Sequence, residues 1–379
     1  MSDSASTRPL TLLRATIDAI DREILQLMAR RNGIVAEIAQ YKRDHRLEIR
    51  DFQRERELFA ERRRRATQLG LSPELIESLY RLVLWASRDR QAALRAEVPP
   101  DIEPRSVAVI GGQGQMGRCM ADLFSDLGHT VMVADLETSL KPAEAAAAAD
   151  VVIISVPIDV TEEVIRTLGP LVSPQALLMD VTSIKMAPLQ AMLDSTKASV
   201  VGTHPLFGPS VHSLQGQRIV LTPGRGDEWL KWLKQMLHAR GLNMLETTPE
   251  AHDRAMSVVQ VLVHFSTEVM GHTLAEIGVP IDETLAFTSP IYMLELLLTA
   301  RHFAQSPDLY ASIQMSNPAT PEVIAAFEKS VQKLRAIAEQ QDHAAFTQVY
   351  KQVREFLGDF TTRALEESDF LIDRMVERA

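Results

Sequence analysis

Three glycines spaced Gly112-x-Gly114-x-x-Gly117 follow the apolar run VAVI and open a stretch of helical periodicity from about Met116 to Leu127. Glycine at these places lets a backbone approach a pyrophosphate, and the free N–H groups of a helix start attract its charge. Asp135 ends the next apolar run, VMVAD, where it can accept hydrogen bonds from adenosine ribose hydroxyls and disfavour a 2′-phosphate. Gly112, Gly114, Gln115, Met116, Gly117 and Asp135 therefore read as dinucleotide contacts, with NAD preferred over NADP. Ser155-Val156-Pro157 closes the run VVIISVP, at the strand edge where a nicotinamide would lie. Among ten histidines, His204 stands out, because it ends VVGTH and a Pro-bounded loop, PLFGP, follows it. His45, His238 and His343 read as surface residues. DVTSIK, Asp180 to Lys185, ends another strand. An imidazole with an ordinary pKa near 6.5 at such an edge is a candidate base, with Lys185 or Ser183 as helper.

A second constellation lies near the N-terminus. Arg31 falls on an apolar seam between Leu27 and Ile34, and a buried Arg is costly unless paired. At roughly 100° per residue, Lys42 falls only about 20° from Arg31 around the same helix. Arg14 lies off that stripe and near the far end, where a partner subunit is better placed to receive it. Asp51, Arg54 and Glu55 share one face of the next helix, as do Ser87 and Gln91 on the third. These groups fit a polar cavity inside a helical bundle, and fit equally a structural bundle whose cations pair with its carboxylates.

The elements that must position these residues follow from periodicity. Apolar residues at Leu13, Ile17, Ile20, Ile24, Leu27, Ile34, Ile38 and Tyr41 predict one helix from Arg8 to about Arg43, with a coiled-coil-like seam that needs a partner. A break over 44–49 precedes a charged helix from Asp51 to Gln68, and Ser72-Pro73-Glu74 reads as the start of a third, to about Ala96. Pro99, Pro100 and Pro104 mark a linker. Alternating strand and helix patterns then predict a doubly wound parallel sheet, including a helix from Thr161 and a closing helix-strand pair from Glu228. From Pro249 onward only helical patterns remain. The expected domains are 1–98 (helical bundle), 104–247 (Rossmann-type) and 248–379 (α-helical).

With 379 residues, 46% hydrophobic and 24% charged, the chain has ordinary globular composition for several domains. No apolar run approaches the roughly 20 residues of a membrane span, and the single Cys119 cannot form an internal disulfide, so a reducing cytoplasm is expected. Residues 1–100 carry 19 Lys and Arg against 15 Asp and Glu, so the acidic surplus lies in the rest of the chain. Arg62 to Arg65 are offset by Glu55, Glu57 and Glu61 without interleaved aromatics, which argues against nucleic acid. No metal site is expected.

Arg14, Arg31, Lys42, Asp51, Arg54, Glu55, Ser87 and Gln91 together resemble the all-helical, intertwined-dimer chorismate mutases. The resemblance implies that the cations grip the two carboxylates of chorismate, Arg14 coming from the other subunit, that Lys42 and Gln91 face the ether oxygen, and that Glu55 serves the ether oxygen or the hydroxyl. DVTSIK, GTHPLFGP, SPIY-LEL and RHF resemble prephenate dehydrogenases across about 105–365. That implies His204 as base toward the ring hydroxyl of prephenate, Ser183 orienting His204 or the nicotinamide, Lys185 assisting, and Arg301 pairing with a substrate carboxylate. His252 and His264 match family positions near substrate or effector, and equally fit ordinary helix histidines. Met293 stands where some relatives carry Arg. The order resembles the bifunctional chorismate mutase/prephenate dehydrogenases, which implies a homodimer and raises tyrosine as a feedback inhibitor. A dehydrogenase with a non-catalytic bundle, or one acting on arogenate, is the alternative.

Overall fold

In the computed structural model, which describes residues 8–45, 47, 51–95, 103–211 and 213–376, the N-terminal part is three helices. These are α1 (Leu10–Asp44), α2 (Phe52–Gln68) and α3 (Pro73–Arg95). Asp51 caps α2 by accepting from the Arg54 N–H at 2.9 Å, and Ser72 Oγ accepts from the Leu75 N–H at 3.2 Å where α3 begins. Both α1 and α2 pack on α3. Val35 and Ala39 of α1 are buried, but Leu13, Ile17, Ile20, Ile24, Leu27, Ile34, Ile38 and Tyr41 are all exposed. The apolar seam is thus real and uncovered within one chain. The expected linker at Pro99 and Pro100 and the boundary at residue 98 lie outside the described residues.

The sheet region runs β1 (Ser106–Ile110), α4 (Gln115–Asp126), β2 (Thr130–Ala134), α5 (Pro142–Ala148), β3 (Val151–Ile154), α6 (Ile158–Leu168), β4 (Leu177–Asp180), α7 (Met186–Ser195), β5 (Ser199–Pro205), β6 (Arg218–Arg225), α8 (Asp227–Ala239) and β7 (Asn243–Glu246). Seven strands pair in the order β2-β1-β3-β4-β5-β6-β7. The first five are parallel, and β3 and β4 are buried along their whole length, as strands covered by helices on both faces must be. The doubly wound parallel sheet is present with one departure at its end: β6 is antiparallel to β5, and β7 runs parallel to β6. Among the described residues the loop from β5 to β6 contains no helix to carry the chain back across the sheet, so β6 returns alongside, whereas α8 supplies that crossover for β7. Helix α6 begins at Ile158, ahead of the expected Thr161, because Pro157 at its N-cap suits a helix start.

Beyond β7 the chain is helical: α9 (Pro249–Met256), a π-helical turn (Ser257–Leu262), α10 (Val263–Ile277), α11 (Ile281–Ala286), α12 (Pro290–Phe303), α13 (Pro307–Ser316), α14 (Thr320–Glu339), α15 (His343–Leu357) and α16 (Phe360–Val376). Gly278 ends α10 with φ 73°, and Ser289 caps α12 through the Tyr292 N–H. Helix α9 packs on α7 and β6, and α13 packs on α6. This docking brings the helical segment onto the edge where β4 and β5 end.

Candidate active sites

The glycine turn after β1 is shaped by close packing. Gly111, which sequence reasoning overlooked, turns at φ 76°, and a Cβ there would lie 2.3 Å from the Ser155 carbonyl oxygen. At Gly117 a Cβ would lie 2.4 Å from the Gly111 carbonyl, and at Gly112 it would lie 2.8 Å from the Val133 side chain. Only glycine lets β1, β3 and α4 come this close. Gly114 is the N-cap of α4 and offers no capping side chain, leaving first-turn N–H groups for a ligand. Asp135 follows β2 and accepts from the Gln113 N–H at 3.0 Å and the Leu136 N–H at 2.8 Å, which holds its carboxylate beside the loop. Gln115 is exposed, Met116 packs partly into the core, and Ser155, Val156 and Pro157 lie at the end of β3. The arrangement fits a dinucleotide with its pyrophosphate on α4.

His204 lies in β5, buried to 3% exposure, near the end of that strand. Its Nδ1 is 2.9 Å from His252 Nε2, and its Nε2 is 3.4 Å from Gln260 Nε2 on the π-helical turn. π-Turns recur where a helix must re-aim a side chain at a site. His252 Nδ1 lies 2.7 Å from Asp253 Oδ1, and the Asp253 carboxylate also accepts from the backbone N–H groups of Lys185 (2.8 Å) and Met186 (3.0 Å). The Asp253 carbonyl in turn accepts from Asn317 Nδ2 at 2.9 Å. Burial pushes the His204 pKa well below its usual value, with the Lys185 charge and His252 adding in the same direction. The neutral imidazole is therefore the resting form.

Lys185 does not reach the cleft. Its ammonium is fully buried, paired with Asp180 and bonded to the Thr203 carbonyl at 2.7 Å and Thr182 Oγ1 at 3.2 Å. Burial lowers its pKa, against the opposing pull of Asp180. The expected direct helper is instead an internal charge near His204. Ser183 is half-buried and makes no hydrogen bond to His204 among the described residues, whereas His252 does.

His264 and Arg301 form a separate group on α10 and α12. The His264 ring meets Tyr310 edge-on at 4.7 Å, His302 stacks on Tyr310 at 3.9 Å, and His302 Nε2 lies 3.1 Å from Glu268. Arg301 is exposed beside this group, close enough to lower the Tyr310 pKa against the larger upward effect of burial. Among the described residues no bond joins His264 to His204.

In the bundle, Arg31 donates to the Ser87 hydroxyl, which donates to the Val83 carbonyl at 2.6 Å. Gln91 Nε2 bonds to the Ser87 carbonyl at 3.2 Å, and both Ser87 and Gln91 are buried. Glu55 pairs with Arg88, a cation that sequence reasoning missed. Lys42 is half-buried, while Arg14 and Arg54 are exposed. One chain thus assembles Arg31, Ser87 and Gln91, pairs Glu55 separately, uses Asp51 as a cap, and leaves Arg14 facing outward.

Comparison with known proteins matches residues 13–92 to a chorismate mutase type II model, 115–246 to a prephenate dehydrogenase nucleotide-binding domain and 248–352 to a prephenate dehydrogenase dimerization domain. The chain is 38% identical to the T-protein of Enterobacter agglomerans, covering 96% of this chain and 97% of that one. It is 34% identical to the T-protein of Haemophilus influenzae, covering 96% of each. The crystal structure of prephenate dehydrogenase from A. aeolicus in complex with hydroxyphenyl propionate and NAD+ is similar at 20% identity and a TM-score of 0.55, over 67% of this chain and 97% of that one.

Two outcomes follow from this geometry. Replacing Lys185 by Met leaves Asp180 charged and buried without its partner, so denaturant titration should show a loss of about 3–5 kcal/mol in the sheet domain, with much of it regained when Asp180→Leu is added. Asp135→Asn removes the charge facing a ribose, and the Kd for NAD+ should rise about 10- to 100-fold, read by fluorescence titration, while discrimination against NADP+ falls.

Proposed function

Since the chain belongs to the T-proteins, bifunctional enzymes of tyrosine biosynthesis that join chorismate mutase to NAD-dependent prephenate dehydrogenase, we propose that the bundle and the His204 cleft are its two catalytic centres, working in that order. The observation that carries the reading is the pairing of an Arg31–Ser87–Gln91 cluster in the bundle with a buried, neutral His204 in the same chain as the glycine turn. The rearrangement of chorismate needs no proton transfer and no nucleophile. Its catalyst has only to hold the compact conformer and stabilise charge on the breaking C–O bond. Arg31 serves a substrate carboxylate, Lys42 and Gln91 face the ether oxygen, and Asp51, Arg54, Glu55 and Ser87 line the rest. Arg14, exposed in one chain, completes the site of a partner. The uncovered seam of α1 and the match to a dimerization domain support a homodimer.

NAD+, held by Gly112, Gly114, Gln115, Met116, Gly117, Asp135 and the Ser155–Pro157 edge, supplies the hydride acceptor. His204 Nε2 takes the proton of the ring C4 hydroxyl as C4 is oxidised. Loss of the ring carboxylate as CO2 returns its electron pair to the ring, and the proton returns to the phenolic oxygen, so no net proton is consumed. Burial of His204 keeps the base neutral and water away. We assign Arg301 and His264, on α12 and α10, to the substrate carboxylates, and Ser183 to the nicotinamide half. Prephenate rather than arogenate is the substrate, because the bundle makes prephenate. Among the described residues no helix is long and apolar enough to cross a membrane, and we place the enzyme in the cytoplasm.

Variants separate the two activities. His204→Asn should abolish NADH formation from prephenate, by at least about 100-fold, and leave chorismate consumption intact, whereas Arg31→Ala should do the reverse by a similar factor. Loss of both activities in either variant, with the fold retained, contradicts two separate centres. Mixed dimers of Arg14→Ala and Arg31→Ala chains test the shared site: about half of wild-type mutase activity returns if Arg14 acts across the dimer, and none if it acts within its own chain.

A further inference from the structure

The contacts around His204 form a chain whose hydrogens are dictated from one end. Asp253 is buried to 2% exposure, and one of its oxygens faces His252 Nδ1 at 2.7 Å. An ionised carboxylate only accepts, so His252 must carry its hydrogen on Nδ1. The neutral ring then has a lone pair on Nε2, and that atom lies 2.9 Å from His204 Nδ1. His204 must donate there, which leaves its own Nε2 unprotonated, on the side of Gln260. Two further bonds, from the Lys185 and Met186 N–H groups, hold the carboxylate in place, so its orientation does not depend on His252.

We propose that His252 and Asp253 are positioning residues that set the tautomer of His204 and hold, during turnover, the proton it removes from the substrate hydroxyl. The inference rests on His204 being the base, as argued above. In the step, the substrate O–H bond breaks and a His204 Nε2–H bond forms. The His204 Nδ1–H bond breaks in turn and a His252 Nε2–H bond forms, so the positive charge comes to rest on His252 against Asp253. The path runs backward when the phenolic oxygen recovers its proton. His204, buried and beside the Lys185 charge, is a poor place for that charge, and the relay removes it from there. The charged groups facing the two rings are Asp253 on the same helix as His252, and Lys185 with its partner Asp180 from the β4–α7 segment. Gln260 and Asn317 are neutral.

The test uses the full-length chain, with wild-type NADH formation from prephenate as its control. If the wild type makes none, the dehydrogenase reading itself fails, independently of the relay. In Asp253→Asn the oxygen that accepts from the Lys185 N–H still faces His252 Nδ1, so both tautomers are kept while the negative charge beside His252 is lost. The expected result is a fall in kcat of at least about 100-fold with KM for prephenate within about threefold, with the melting temperature unchanged. 15N spectra of histidine-labelled, ligand-free protein should show the hydrogen of both His204 and His252 on Nδ1, an observation that needs no substrate. His252→Gln keeps an acceptor for His204 and a donor for Asp253 but cannot hold a proton. The kcat should therefore fall at least about tenfold while the His204 hydrogen stays on Nδ1. The proposal is overturned by a His204 hydrogen on Nε2 in the ligand-free wild type, or by a kcat within threefold of wild type in either variant.

Discussion

A carboxylate buried to 2% exposure has to find its donors inside the protein, and Asp253 finds them in two parts of the chain. The backbone N–H groups of Lys185 and Met186, where β4 gives way to α7, meet one side, and His252 of α9 meets the other. The helical segment is thereby bonded to the carboxyl edge of the sheet at the point where His204 emerges. Lys185 follows the same logic beneath it. Its ammonium is satisfied by Asp180, Thr182 and the Thr203 carbonyl, which ties the end of β4 to the end of β5. Charges at this depth are a poor source of stability. They do determine position, and a base that must meet one hydroxyl depends on position.

The bundle is governed by a different constraint. Its long first helix cannot bury both faces against α3, so apolar residues from Leu13 to Tyr41 stay exposed in one chain. Arg31 turns inward to Ser87 while Arg14 remains on the surface. An incomplete site and an incomplete core lie on the same helix, and the proposed second chain would complete both.

Much of this was legible in the sequence because periodicity and punctuation are local. The 4,3 spacing of α1, the Ser72-Pro73 start of α3 and the strand–glycine–helix turn all reappear in the structure. The parallel sheet was foreseen only as far as β5, since nothing in RIVLTP states the direction in which it pairs. Residues that act through long-range contacts were harder to read. His252 matched a family position near substrate or effector but fitted an ordinary helix histidine equally well, and Asp253 was not singled out; the docking of α9 on α7 brings both to His204. Lys185, read as a helper in the cleft, faces the interior because Asp180, five residues earlier, ends a fully buried strand. An acid at the end of such a strand was the available signal. Arg88 gave none beyond its charge.

Two centres in one chain, the first making the substrate of the second, is the central claim. The most direct measurement supplies purified protein with chorismate alone and then with chorismate and NAD+, following chorismate loss and NADH separately. The account predicts chorismate loss without NAD+ and NADH only once NAD+ is present. NADH from supplied prephenate with no consumption of chorismate would reduce the bundle to a scaffold, and neither signal would contradict the account as a whole.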